Sequence, residues 1–161
     1  MSINVLFVCL GNICRSPTAQ GIFESRVARA GFADEFFVDS AGTASFHIGK
    51  APDSRAILAA ERNGYSIKDQ RARQIQRTDF ERFHYIIGMD RMNEGNIKAL
   101  APKDYTGEIH LFMEFSGRGG IKQVPDPYKE TQEAFDKNII LLETAADGLL
   151  NHIIQSRQLR P

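Results

Sequence analysis

The sequence predicts an α/β fold, a single doubly wound domain over residues 1–161 whose four-stranded parallel sheet is flanked by helices. Three observations carry this expectation. Short, almost wholly apolar runs recur at 3–8, 36–38, 85–89 and 109–112, as strands buried on both faces of a parallel sheet require. Stretches with helical spacing of apolar residues separate and follow them, giving the alternation of a βαβ fold. A Gly- and Asn-containing segment running from a cysteine to an arginine follows the first run, at the carboxyl end of a strand where open parallel sheets bind their ligands.

Ile3, Val5, Leu6, Phe7 and Val8 make the first strand, which ends on Cys9. Ser16-Pro17 then offers a helix start, Ser16 as N-cap and Pro17 at the first helical position. Ile22, Phe23, Val27 and Ala30 supply its apolar stripe before Gly31. After the second strand, 36–38, a helix over 53–62 is opened by Pro52-Asp53 and closed at Gly64. The third strand, 85–89, leads into a helix starting at Asp90 or Arg91 and ending at Leu100, and the fourth strand is 109–112. Phe135, Ile139, Leu142, Ala146, Leu149 and Ile153 are spaced by threes and fours and mark a long amphipathic helix over 131–154. Segments 68–79 and 116–129 lack periodicity and read as surface loops, the latter carrying Ser116-Gly117-Arg118-Gly119-Gly120, Pro125 and Pro127.

Twenty basic side chains balance twenty acidic ones among the 161 residues. Without a net field, neither nucleic acid nor an anionic membrane is an expected partner, and any anion site must be local. The two cysteines, Cys9 and Cys14, are too few for the disulfide framework of a small secreted domain. The N-terminal apolar run has no positive segment before it, and no run reaches membrane-spanning length. A cytoplasmic location is the expectation.

The chemistry concentrates in Cys9-Leu10-Gly11-Asn12-Ile13-Cys14-Arg15-Ser16. Placed between a buried strand and a helix, the amides of such a loop can converge on one tetrahedral anion, making it a phosphate-binding loop. Arg15 adds a planar fork able to hold two phosphate oxygens. Gly11 and Asn12 tolerate the left-handed backbone that a tight nest needs. A helix N-terminus, converging amides and a guanidinium are the surroundings in which a cysteine reacts as thiolate, so Cys9 is the candidate nucleophile. A cysteinyl phosphatase also needs an acid to protonate the departing oxygen and a base to activate water. Asp126, stiffened between Pro125 and Pro127, is the candidate, although an Asp between prolines equally suits a plain turn. No other phosphate motif is present, and with His47, His84, His110 and His152 scattered along the chain no metal site is expected.

Val8 through Pro17, Asp39-Ser40-Ala41-Gly42-Thr43 and Asp126-Pro127-Tyr128 together resemble the low-molecular-weight protein tyrosine phosphatases, and the likeness covers essentially the whole chain. The resemblance implies hydrolysis of phosphotyrosine in proteins or peptides, and of small aryl phosphates, through a phosphocysteine on Cys9, with Asp126 as acid then base and no cofactor. It implies that Leu10, Gly11, Asn12, Ile13 and Cys14 cradle phosphate, vanadate or sulfate with Arg15, that Ser16 eases the departure of the Cys9 sulfur, and that Asn12 and Ser40 brace the loop. Phe46 and Tyr128 fall where the family walls the substrate ring. Gln70 departs from the histidine of mammalian relatives, and Lys129 replaces a second aromatic, turning the rim cationic. Arginine phosphatases of this fold are the alternative, but they carry threonine where this loop has Ile13. Arsenate reductases of the fold need cysteines beyond the first loop, and none follows Cys14. Cys14 is the one thiol able to intercept an oxidised Cys9 within the same curled loop, unless it merely packs beneath it.

Overall fold

The computed structural model describes residues 2–161. Strand β1 (Ile3–Cys9) lies between β2 (Phe36–Gly42) and β3 (Tyr85–Gly88), and β4 (Glu108–Leu111) closes the far edge, giving the order β2-β1-β3-β4 with every pair parallel. The helices are α1 (Arg15–Arg29), α2 (Ser54–Arg62), the short α3 (Asp79–Arg82), α4 (Arg91–Leu100) and α5 (Gln132–Arg157). Two 3-10 turns, Ala33–Glu35 and Phe112–Phe115, complete the regular structure. No described helix is long and apolar enough to cross a membrane.

Strand periodicity explains the two-sided core. In β1, Ile3, Val5, Phe7 and Cys9 point into a cluster with α1, α2 and α5, while Leu6 and Val8 point into a second cluster with Phe80, Ile86 and Ile97. Phe7 is fully buried and meets Phe23 and Phe112 edge-on, at 5.4 and 5.1 Å between ring centroids, a geometry that adds to the gain from area alone. The chain leaves β1 for β2 on one side and returns to β3 on the other. The carboxyl ends of β1 and β3 therefore flank the point where strand order reverses, and the crevice opens there.

Boundaries differ from the sequence expectation at places with physical causes. Helix α1 begins at Arg15, with Cys14 and not Ser16 in the cap position. Pro17 is tolerated in the first turn because no intrahelical partner awaits its missing N–H, and the Ser16 hydroxyl is engaged elsewhere. Strand β2 continues through Gly42, because Asp39 and Ser40 pair along β1 despite their polarity. Phe112 belongs to a 3-10 turn and not to β4, and α5 extends through Arg157 to a left-handed Gln158. Segment 68–79 is irregular yet not a plain surface loop: Ala72 and Ile75 are buried, and Gly42 pairs with Gln74 in an isolated bridge.

Candidate active site

The loop after β1 is curled by backbone bonds made outward. The carbonyls of Cys9, Leu10 and Ile13 accept from the N–H groups of Thr43, Ala44 and Asp53, at 2.9, 2.9 and 2.8 Å. Across a trans peptide the next N–H points the opposite way, so those of Leu10, Gly11 and Cys14 turn to the concave side. Asn12 sits at φ 57°, the left-handed turn that closes the curl. Gly42 makes the closeness possible, since a Cβ there would stand 2.7 Å from the Leu10 carbonyl oxygen.

Behind the loop, one hydrogen-bond chain runs to Ser16 and Cys9. The Arg73 N–H donates to Asn12 Oδ1 (3.0 Å), and Asn12 Nδ2 donates to Ser16 Oγ (2.8 Å) and Ser40 Oγ (3.0 Å). Ser40 in turn donates to Gln20 Oε1 (2.8 Å). With its oxygen accepting from Asn12, Ser16 has two acceptors for its one proton, Cys9 Sγ at 3.0 Å and the more distant Ala41 carbonyl at 3.4 Å. Asn12, Ser16 and Ser40 are all buried, so this is a network protected from competing water. The Arg73 guanidinium is itself clamped by Asp39 and by both oxygens of Asp79.

Arg15 is 3 % exposed. Its Nη1 donates to Asp90 Oδ2 (2.7 Å) and to the Val124 carbonyl (2.9 Å), which leaves Nη2 on the open side, 3.7 Å from Asp126 Oδ2. The Asp126 side chain is 45 % exposed, and its Oδ1 accepts from the Tyr128 N–H. Cys9, Arg15 and Asp126, together with Leu10, Gly11, Ile13, Cys14, Phe46 and Tyr128, thus line one cavity of about 180 Å³. Of the loop residues expected at the phosphate, Asn12 sends its side chain into the bracing network. Phe46 and Tyr128 stand exposed at the mouth. Cys14 is buried, and burial, with Cys9, Asp53 and Asp126 nearby, pushes its thiol pKa up. Gln70 donates to the Pro17 carbonyl at 2.9 Å, while its buried Oε1 has no partner among the described residues.

Three contributors escape a reading of the sequence alone. Asp90, which also caps α4 by accepting from the Asn93 N–H, is the anionic partner of Arg15; its place after β3, across the switch point from Cys9, is the signal that could have found it. Arg55 bonds to Asp53 and reaches across to the carbonyls of Tyr128 (2.9 Å) and Glu130 (2.8 Å), stacked on Phe135; the hydrogen bonds to Arg55 hold the Asp53 carboxyl pKa below its ordinary value against the cost of burial. His47 stands in the cavity wall between Phe46 and Tyr128, 6.4 and 6.0 Å from their ring centroids.

A family model described as low molecular weight phosphotyrosine protein phosphatase matches residues 4–159. A low-molecular-weight phosphotyrosine protein phosphatase of Schizosaccharomyces pombe is 39% identical over 153 residues, 94% of this chain and 97% of that protein. The crystal structure of a protein tyrosine phosphatase from Entamoeba histolytica with Hepes in its active site superposes with a TM-score of 0.93 at 33% identity, covering 97% of this chain and 99% of that one. A Drosophila arginine phosphatase superposes with a TM-score of 0.87 at 29% identity, covering 92% and 96%. With the family model matched over nearly the whole chain and a relative of the same description 39% identical over 94% of it, the chain belongs to the low-molecular-weight phosphotyrosine protein phosphatase family.

Proposed function

We propose that this phosphatase hydrolyses phosphotyrosine in proteins and peptides, and small aryl phosphates, in the cytoplasm, through a phosphocysteine formed on Cys9. The observation that carries the mechanism is the convergence of Cys9, the free Nη2 edge of Arg15 and the Asp126 carboxyl on one cavity. Cys9 sulfur attacks phosphorus in line with the aryl oxygen while the loop amides and Arg15 hold the equatorial oxygens. The P–O bond breaks, and the aryl oxygen leaves with the proton of Asp126. Water then attacks phosphorus, giving its proton to the Asp126 carboxylate. The P–S bond breaks, the Ser16 hydroxyl donates to the departing sulfur across the 3.0 Å contact, and phosphate leaves. The same nest would accept phosphate, vanadate or sulfate as inhibitors, and the sulfonate Hepes in the Entamoeba relative's active site supports that reading. No step calls on a cofactor.

Phe46, His47 and Tyr128 line the same cavity as Cys9, with Phe46 and Tyr128 exposed at its mouth. Such walls suit an aryl ester whose ring packs on aromatic faces while its phosphorus reaches Cys9, and a phosphoserine has no ring to use them. Exposed Lys129 beside Tyr128 gives the rim a positive charge suited to acidic residues flanking phosphotyrosine. The apolar Ile13 offers no hydroxyl to a guanidinium phosphate. Parallel assay of phosphotyrosine, phosphoarginine and phosphoserine versions of one peptide tests the assignment. Phosphotyrosine is expected to have the largest kcat/KM; a preference for phosphoarginine would transfer the chain to the other substrate class.

A further inference from the structure

Away from the catalytic loop, the fold assembles side chains that look scattered in the sequence. Glu108 and His110 are two apart on β4 and so project from the same face of the edge strand, and α5 lays His152 against them. Glu108 Oε1 stands 2.7 Å from His110 Nε2 and 3.2 Å from His152 Nε2, and the candidate ligand atoms of the three residues all lie within 4.8 Å of one another. Ligands about 2.0–2.2 Å from a tetrahedral zinc ion stand roughly 3.3 Å apart, so modest side-chain adjustments close the set on one ion. The place is remote from Cys9. Glu108 pairs with Tyr85 at the amino end of β3, on the outer strand, whereas Cys9 ends β1 at the opposite end of the sheet.

The surroundings add a second argument. Glu114 Oε1, in the 3-10 turn after β4, lies 3.2 Å from His110 Nδ1. His110 Nε2 and Glu108 Oε1, 2.7 Å apart, are bridged by a proton when the imidazole carries it on Nε2, and with that proton gone the same lone pair and carboxylate face a site where a cation can replace it. A carboxylate on the far nitrogen is also the usual orienting partner of a metal-bound histidine. Phe115 packs on both rings, at 5.0 Å from His110 and 5.1 Å from His152 between centroids, which limits their rotation. All three ligands remain partly exposed, with His110 at 22 % and His152 at 34 %, so an ion can enter from solvent and water can complete its coordination.

We propose that Glu108, His110 and His152 bind one divalent transition ion of the zinc class, with Glu114 orienting His110, and that the ion clips α5 to the edge strand. Two imidazoles and one carboxylate suit zinc, cobalt or nickel better than magnesium or calcium. The test is a cobalt(II) titration of the full chain, read by visible absorption and by thermal midpoint. One ion per chain is expected, with ligand-field bands, no sulfur-to-cobalt charge transfer and a midpoint raised by about 5–10 °C at a hundredfold excess over the dissociation constant. Cys9→Ser should bind cobalt as the wild type does. His152→Gln should lose affinity at least about 100-fold, and Glu114→Gln about 10–100-fold, while both keep metal-free hydrolysis of an aryl phosphate unchanged, which certifies their fold. Equal binding by His152→Gln, loss of binding in Cys9→Ser, or no cobalt spectrum at millimolar ion would each overturn the proposal, the last leaving a protonated ion-pair cluster in its place.

Discussion

The loop carrying Cys9 and the segment carrying Asp126 meet at one cavity but are held in opposite ways. Residues 9–16 are fastened along their whole length, by three outward carbonyl bonds, by the Arg73–Asn12–Ser16 chain and by Asp90 on Arg15. The segment around Asp126 rests on a few struts: the Val124 N–H on the Met89 carbonyl, Asn138 on the Pro125 carbonyl, and Arg55 on Tyr128 and Glu130. The difference follows from what each must do. Phosphate presents the same tetrahedron in every substrate, so its cradle gains from rigidity before the substrate arrives. Leaving groups vary in size and path, and a carboxyl on a half-exposed arm can follow them.

If this contrast is right, substitutions in the loop should impair every substrate alike, and substitutions in the arm should discriminate among leaving groups. The largest effect is expected for Cys9→Ser, a loss of turnover of at least about 10⁴-fold. Vanadate binding, measured by calorimetry, should persist because the nest is mainly backbone and Arg15; multiple turnovers by this variant would remove the covalent step. For Asp126→Asn, about 10²–10⁴-fold should be lost in kcat/KM with phosphotyrosine and much less with a nitrophenyl ester, whose leaving group needs no proton. Equal losses in kcat/KM with both esters would show that Asp126 is not the acid.

Smaller effects probe the fastenings. Asp90→Asn keeps a side chain able to cap α4 but removes the charge on Arg15. About tenfold should be lost in kcat/KM for all aryl phosphates with little change in melting midpoint, and a large drop in stability with normal turnover would make Asp90 purely structural. Arg55→Ala frees the arm and not the loop. A fall of about three- to tenfold is expected with phosphotyrosine and almost none with the nitrophenyl ester, so a uniform fall would mean that Arg55 shapes the whole cavity. Last, peroxide should convert Cys9 to a sulfenic acid, which the Cys14 thiol attacks to form a disulfide and release water. Wild type treated with peroxide and then a dithiol should recover more activity than Cys14→Ser; equal recovery without a located Cys9–Cys14 disulfide would leave Cys14 a packing residue.

The same contrast explains what the sequence discloses. The loop is contiguous, so its thiol, guanidinium and hydroxyl, Cys9, Arg15 and Ser16, are legible as one string after a strand of apolar residues. The four strands and the long amphipathic helix are legible for a similar reason, because each writes its burial into a local period. Partners supplied from distant segments are not. Asp90 reads as a helix cap, Arg55 as a surface cation and Arg73 as part of an aperiodic stretch, and only the folded chain brings Asp90 and Arg73 to the loop and Arg55 to the Asp126 segment. The Ser16-Pro17 pair illustrates a local signal overridden by a tertiary one: the pattern of a cap is present, but the hydroxyl is taken by Cys9 and Asn12, and the helix starts two residues earlier. His110 and His152 look scattered in the sequence because nothing in it shows that α5 returns over β4.

The account turns on a phosphoryl group passing through Cys9, and rapid-quench kinetics on Asp126→Asn with nitrophenyl phosphate tests this most directly. Formation of the intermediate is then fast, since the leaving group needs no acid, and its hydrolysis is slow, since the base is missing. A stoichiometric burst of nitrophenol and an acid-trapped phosphate mapped to the peptide containing Cys9 are predicted; no burst with no protein-bound phosphate, or phosphate located on any other residue, would contradict the mechanism.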